Sequence, residues 1–257
     1  MFFENRIIKA RRIKRPQLSL DPVEFARTRL NFEPDEIQCG ILRSTAKRGI
    51  LNCSRQFGKT TVSAAKAIFR AFTEPRSLIV VASPGERQSG IWLRAAEEML
   101  RSLGIRPRGD GYNKLSLVLP NGSRIVGLPD AEDKVRGFGG LSMLLIDEAS
   151  RVSEEMYTSV WPMLAVGNGD LWMMSTPFGK RGFFYEEWEH GGDRWMRVKV
   201  PVTECSRITK EFIEEQQSIL AGDAFRQEYM CEFVGKGVGA FDRDLIEEAI
   251  TDEVKPL

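Results

Sequence analysis

The chain has 257 residues, 42% of them apolar, enough to bury a full core and near the upper size for one domain before a chain splits. Lys and Arg total 37 against 36 Asp and Glu, and the resulting net charge of +1 argues against a globally basic nucleic-acid binder. Four widely spaced cysteines with no CxxC pair, and His190 as the one histidine, argue against a zinc cluster, a disulfide framework and histidine-based triads. No apolar run reaches the roughly 18 residues that span a bilayer, and the opening "MFFENRIIKARR" lacks a signal-peptide core. The expectation is a reduced, soluble, cytoplasmic protein without membrane contact.

At the head of the chain Arg6, Lys9, Arg11, Arg12, Lys14 and Arg15 face a single acid, Glu4, giving either a local basic arm or a solvated terminus. Helices are predicted over residues 19–30, where Asp21 can cap and Pro22 suits a first turn, and over 34–46, where Ile37, Ile41 and Leu42 share a face. The apolar run "GILNC" (49–53) predicts a strand that runs into the loop "CSRQFGKTT" (53–61), and a buried helix follows from Lys59. "SLIVVAS" (77–83) is a second strand, apolar throughout as in a parallel sheet covered on both faces, followed by a helix over 86–103.

Residues 114–129 alternate around Asn121-Gly122 and predict a hairpin. "LSMLLIDEAS" (141–150) and "DLWMMSTP" (170–177) are strands ending in acids and hydroxyls, "GKRGFFYEEWEH" (179–190) a helix, and 194–202 a further strand. Polar helices follow from Thr209 to about Cys231, then the glycine-rich "VGKGVGAFD". Strands alternating with helices indicate an α/β fold, a mostly parallel central sheet flanked by helices. The division expected is an N-terminal arm (1–31), a core (32–205), a small helical lid (206–234) and a linker (235–257).

Residues 53–60 read C-x-x-x-x-G-K-T. Between a strand and a helix such a loop aims backbone N–H groups and the helix N-terminus at phosphates, with Lys59 reaching the β and γ phosphates and the Thr60 hydroxyl holding Mg²⁺. Cys53 departs from the first glycine of that pattern. Some 90 residues on, "LLIDEAS" ends a strand with Asp147, placed to bind magnesium, and Glu148, placed to activate water. The two strand tips are expected to lie side by side and share a cation and a triphosphate. Together the motifs predict ATP binding and hydrolysis.

Ser175 and Thr176 end the "MMSTP" strand and are candidates for sensing the γ-phosphate, the alternative being a helix cap. Gln38, with Phe32 and Pro34 nearby, stands at a spacing from which an amide can read adenine; otherwise it is an exposed helix glutamine. Arg136, in the glycine-flanked "EDKVRGFGG", is a candidate arginine finger for a neighbouring subunit, or a solvated loop arginine. Arg55 competes for that role, from within the phosphate loop and only in cis.

"CSRQFGKTT", "LLIDEAS", "MSTP" and "FEPDEIQ", in that arrangement, resemble the ATPase domain of the large terminase subunit of tailed bacteriophages, over about Phe32 to Phe233. The family tolerates loss of the first loop glycine and carries an arginine at the place of Arg55. The resemblance implies a P-loop NTPase of the additional-strand, RecA-like type, a motor that moves double-stranded DNA into a procapsid in the host cytoplasm. Partners implied are a portal protein, a small terminase subunit and further copies in a ring of five. ATP-site roles implied are Gln38 for adenine, Ser54, Arg55, Gln56, Phe57, Gly58, Lys59, Thr60 and Thr61 for phosphates, Asp147 with Thr60 for Mg²⁺, Glu148 as catalytic acid, Ser175 and Thr176 for coupling, and Arg136 as trans finger.

The family's nuclease domain carries clustered carboxylates, for which Asp242 and Asp244 alone remain here, so no nuclease activity is expected of this chain. DNA contact is expected to be to phosphates and salt-sensitive. A helicase-like, nucleic-acid-dependent ATPase of similar fold is the alternative.

Overall fold

The structure, a computed structural model, describes residues 20–130, 138–205 and 207–235. The basic head, Arg136, Asp242 and Asp244 lie outside the described residues, as does the glycine-rich stretch beyond Gly235.

Seven strands form one sheet: β1 (Arg48–Cys53), β2 (Leu78–Ser83), β3 (Ser116–Val118), β4 (Arg124–Pro129), β5 (Met143–Asp147), β6 (Asp170–Ser175) and β7 (Met196–Val200). Their order across the sheet is β3-β4-β2-β5-β6-β1-β7, and every pairing is parallel except β3 with β4. That antiparallel pair is the predicted hairpin. Its turn closes with the Gly122 N–H on Leu119 O at 3.0 Å, and Gly122 takes the left-handed φ of 82° that follows a turn of this kind.

Side chains alternate between the two faces of the sheet, so each strand feeds two cores. On one face Leu51, Ile79, Val81, Leu145, Trp172 and Met174 meet helices α1 (Pro22–Arg29), α2 (Glu36–Arg43), α3 (Lys59–Thr73) and α4 (Glu86–Ser102). On the other Ile50, Val80, Ala82, Leu144, Ile146 and Met173 meet α5 (Glu154–Val160) and α6 (Gly182–Glu189). This two-sided burial is why the strands read as unbroken apolar runs. Trp172 is buried so close to β1 that a Cβ at Gly49 would sit 2.3 Å from its ring. Truncating Trp172 to alanine would cost about 3–5 kcal/mol.

The starts of α1 and α2 follow from Asp21, whose carboxylate accepts the Val23 and Glu24 N–H groups, and from Asp35, which caps α2. Helix α2 stops at Arg43, short of the predicted 46, because Ser44 is extended. Two further helices, α7 (Lys210–Ile219) and α8 (Gly222–Glu228), gather a small apolar cluster of their own around Val202, Phe225 and Tyr229.

Two further expectations need correction. The tips of β1 and β5 are not side by side, because β6 pairs with both and lies between them. The predicted strand 141–150 ends at Asp147, since Glu148 turns into the left-handed region at φ 50° and Ala149–Arg151 form a 3-10 turn. Residues 151–169, which carry no prediction, hold α5, capped by the Ser153 hydroxyl on the Met156 N–H, and a 3-10 turn at Trp161–Leu164.

Candidate active site

All the parallel strands point their C-terminal ends at one edge of the sheet, and a cleft of about 590 Å³ opens there. Its walls are Arg55, Gln56, Gly58, Lys59, Thr60 and Thr61 of the phosphate loop, Pro84 and Gln88 after β2, Glu148 and Arg151 after β5, and Thr176 after β6.

The loop's shape follows from its backbone. Gln56 and Gly58 both take left-handed φ, at 65° and 87°, which folds the chain back before α3 begins. Helix α3 runs for 15 residues, and its N-cap, Gly58, supplies no side-chain acceptor. Its first N–H groups are therefore left for a ligand at a helix N-terminus that also carries partial positive charge. The Lys59 ammonium is folded onto the loop, donating to Cys53 O at 2.9 Å and Ser54 O at 3.0 Å. Cys53 is the last residue of β1 and fully buried in the core, with burial pushing its thiol pKa up. That position asks for a small apolar side chain on an extended strand, which is why cysteine serves there in place of glycine.

The rest of the loop is braced from behind. The Phe57 side chain is buried, while its carbonyl accepts from Gln38 Nε2 at 2.9 Å and from the Arg207 guanidinium. Gln38 is 1% exposed, and its Oε1 accepts the Asp35 N–H at 3.1 Å in the capping box of α2. Gln38 is thus neither an exposed helix glutamine nor on the cleft wall. Arg207 also pairs with Asp35 at 3.1 Å. Ser54 is fully buried.

At the tip of β5, Asp147 is buried, and its Oδ1 accepts the Glu148 N–H at 3.2 Å. Burial pushes its carboxyl up to about 7, the Glu148 charge adds to this, and the Lys59 charge opposes it. A buried carboxylate in this condition suits a divalent cation, with Thr60 on the cleft wall as a second oxygen donor. No cluster of three or more His, Cys, Asp or Glu among the described residues could hold a metal alone. Phosphate oxygens and water would have to complete the shell, the arrangement Mg²⁺ favours. Glu148 holds its left-handed φ as a non-glycine residue, strain of about 1–3 kcal/mol that aims its carboxylate out of the strand and into the cleft.

The hydroxyls of β6 part company. Ser175 Oγ lies 2.7 Å from Ser150 Oγ and accepts the Ser150 N–H at 3.3 Å, whereas Thr176 lines the cleft. Arg55 is drawn to α8, its Nε 2.8 Å from Glu228 Oε2, and Arg151 stands 3.5 Å from the other oxygen of the same carboxylate. The Arg151 guanidinium also lies 4.1 Å above the Phe178 ring. Nothing local in the sequence marks Gln88, Arg151, Arg207 or Glu228 as site residues. Each is an ordinary polar residue in its own segment, and topology alone gathers them.

A family model described as terminase large subunit, T4likevirus-type, N-terminal, matches residues 50–248. The large terminase subunits of Thermus virus P23-45 and Thermus phage G20c are each 25% identical over 249 residues, covering 82% of this chain and 51% of theirs. The chain therefore spans about half the length of the curated relatives it matches. Among solved structures, the ATPase domain of the Thermus phage P74-26 large terminase aligns with a TM-score of 0.74 at 25% identity, over 84% of this chain and 100% of that one. A large terminase from another thermophilic bacteriophage, solved in complex with ADP, aligns at 0.66 and 17% identity, over 77% and 53%.

Proposed function

Because the chain belongs to the family of large terminase subunits, over their N-terminal part, we propose that it is the ATP-hydrolysing motor domain of a phage DNA-packaging machine. The observation that carries this reading is the meeting of Lys59, Thr60 and Glu148 on one cleft, with Asp147 adjoining Glu148 within reach of the Lys59 charge.

In this reading the loop from Ser54 to Thr61 and the N-terminus of α3 hold the phosphates. The Lys59 ammonium exchanges its two carbonyl partners for β and γ oxygens, and Thr60 and Asp147 would hold Mg²⁺, which would supply positive charge against that developing on the phosphoryl group. Glu148 takes the proton of the attacking water. Gln38 serves adenine through the amide proton left free by Phe57, and Ser175 and Thr176 carry the hydrolysis signal away from the cleft. Arg55 or Arg136 supplies the arginine finger, Arg55 from its own subunit and Arg136 from a neighbour. Helices α7 and α8 act as a lid over the phosphate loop. ADP in the thermophilic phage's terminase supports nucleotide binding at a cleft of this fold.

The substrate moved is double-stranded DNA, gripped by its phosphates, with a portal protein, a small terminase subunit and a homo-oligomeric ring of five as partners in the host cytoplasm. Phosphate release from Mg²⁺–ATP tests the reading. Lys59→Ala should abolish nucleotide retention, and Glu148→Gln should retain ATP while losing roughly 10²–10⁴-fold in turnover. Equal turnover in wild type and Glu148→Gln would sink it.

A further inference from the structure

Resting on that reading of the cleft, we propose that Gln88 is a further catalytic residue, a side-chain amide that orients the attacking water beside Glu148. Residue 88 belongs to none of the motifs read from the sequence, yet it lines the same cleft as Lys59, Thr60, Glu148 and Thr176.

Strand order locates it on the attacking side. The phosphate loop leaves β1, and the sheet then runs β6, β5, β2, so the loop after β2 lies beyond the Asp147–Glu148 tip as seen from the phosphate loop. In an in-line displacement the leaving diphosphate stays with the phosphate loop, and the nucleophile must arrive from the opposite side. The β2–β5 register pairs Ala82 with Ile146, so Ser83 is level with Asp147, and Gln88 follows five residues later in the first turn of α4.

That turn is held in place. Ser83 and Ser89 hydroxyls bond each other at 2.5 Å in a buried pair, fastening α4 to the end of β2. Trp92, fully buried one turn on, donates its indole N–H to Ser63 Oγ at 3.0 Å, fastening α4 to the helix that begins at Lys59. Helix α4 has no side-chain cap at Gly85, and a Cβ there would come 3.3 Å from Gln88 Oε1. An amide on a doubly anchored turn offers a donor and an acceptor at once, which is what orienting a water between a phosphate oxygen and a carboxylate base requires.

Single-turnover hydrolysis of radiolabelled Mg²⁺–ATP by the chain, with ATPγS binding and melting temperature measured in parallel, tests this. Gln88→Ala should slow the chemical step by about 10²-fold with ATPγS affinity held within about twofold and melting unchanged, because it removes a transition-state contact. Gln88→Glu, which places a charge beside the base and removes the donor, should fall at least as far. A rate within about threefold of wild type overturns the proposal, as does a loss of affinity matching the loss of rate. Wild-type hydrolysis that Glu148→Gln abolishes but Gln88→Ala spares sinks this inference alone, whereas wild type without any Glu148-dependent hydrolysis sinks the ATPase reading beneath it.

Discussion

Glu228 on α8 holds Arg55 of the phosphate loop at 2.8 Å, and the backbone repeats the link, with the Arg55 N–H on Glu228 O at 3.3 Å. Glu228 also faces Arg151, so one carboxylate, 15% exposed, restrains two cations that line the nucleotide cleft. A triphosphate entering the cleft competes with Glu228 for both. Glu228→Ala should tighten ATPγS binding several-fold by freeing them. The stability loss should stay under about 1 kcal/mol, since Arg55 is 61% exposed and such pairs are screened. Titration calorimetry reads the affinity, and weaker binding would mean that α8 shapes the loop instead of competing for it.

Gln38 ties the start of α2 to the phosphate loop, and its amide oxygen and one amide proton are committed before any ligand arrives. Gln38→Ala removes the return bond of the capping box and one of the donors on Phe57 O. A loss of about 1–2 kcal/mol is expected in nucleotide-free urea unfolding. Arg207→Ala removes the other Phe57 donor and the Asp35 ion pair, 43% exposed on the arginine side, and should cost less. If Gln38 also reads adenine, ATP-over-GTP preference should collapse in Gln38→Ala and survive in Arg207→Ala.

The elements legible beforehand were those with local causes. Asp21 before Pro22, the apolar runs of β2 and β5, and Pro120-Asn121-Gly122 each carry their own signal, and the structure places a helix, two strands and a hairpin there with ends shifted by up to three residues. Strand β5 stops early for a reason no pattern shows: Glu148 is a non-glycine residue in the left-handed region, held there by its surroundings. Helix α5 was legible in principle from Ser153 followed by Glu154 and Glu155, a cap with acids in the first turn. The order of β1, β6 and β5 was not, because parallel strands joined by helices leave no local trace of their neighbours. The same holds for Gln88, Arg151, Arg207 and Glu228, whose positions depend on that order.

Outside the cleft lining, the edge hairpin depends on Asp110. Burial raises its pKa, but N–H groups of Asn113 and Tyr112, the Asn113 amide and the Arg124 guanidinium at 2.7 Å outweigh that and hold it below the ordinary 3.8. A depressed folded pKa means the unfolded chain binds the proton more readily. The stabilisation is therefore complete above the unfolded value near 4 and lost as pH falls through the folded one. Asp110→Asn should cost about 1–3 kcal/mol at pH 7, and the gap between variant and wild-type urea midpoints should narrow by pH 3. A gap independent of pH would assign the loss to shape and not to charge.

Ser175 and Thr176 were expected to share one task, and the structure gives them different neighbours. Ser175 Oγ is bonded to Ser150 Oγ at 2.7 Å, two residues beyond Glu148, while Thr176 stands on the cleft wall. Ser175→Ala removes the contact that ties the turn after Glu148 to β6, so the carboxylate loses its bearing while the phosphate site keeps its own residues. Because displacement of a catalytic group by about 1 Å can cost 10²-fold, turnover should fall by roughly 10-fold or more with ATPγS affinity unchanged. Thr176→Val keeps the shape and removes a hydroxyl from the cleft, so its effect should fall on nucleotide affinity as well. The comparison of kcat with binding in the two variants checks the division. If Ser175→Ala weakened binding as much as Thr176→Val, the Ser150 contact would have no separate part in placing Glu148.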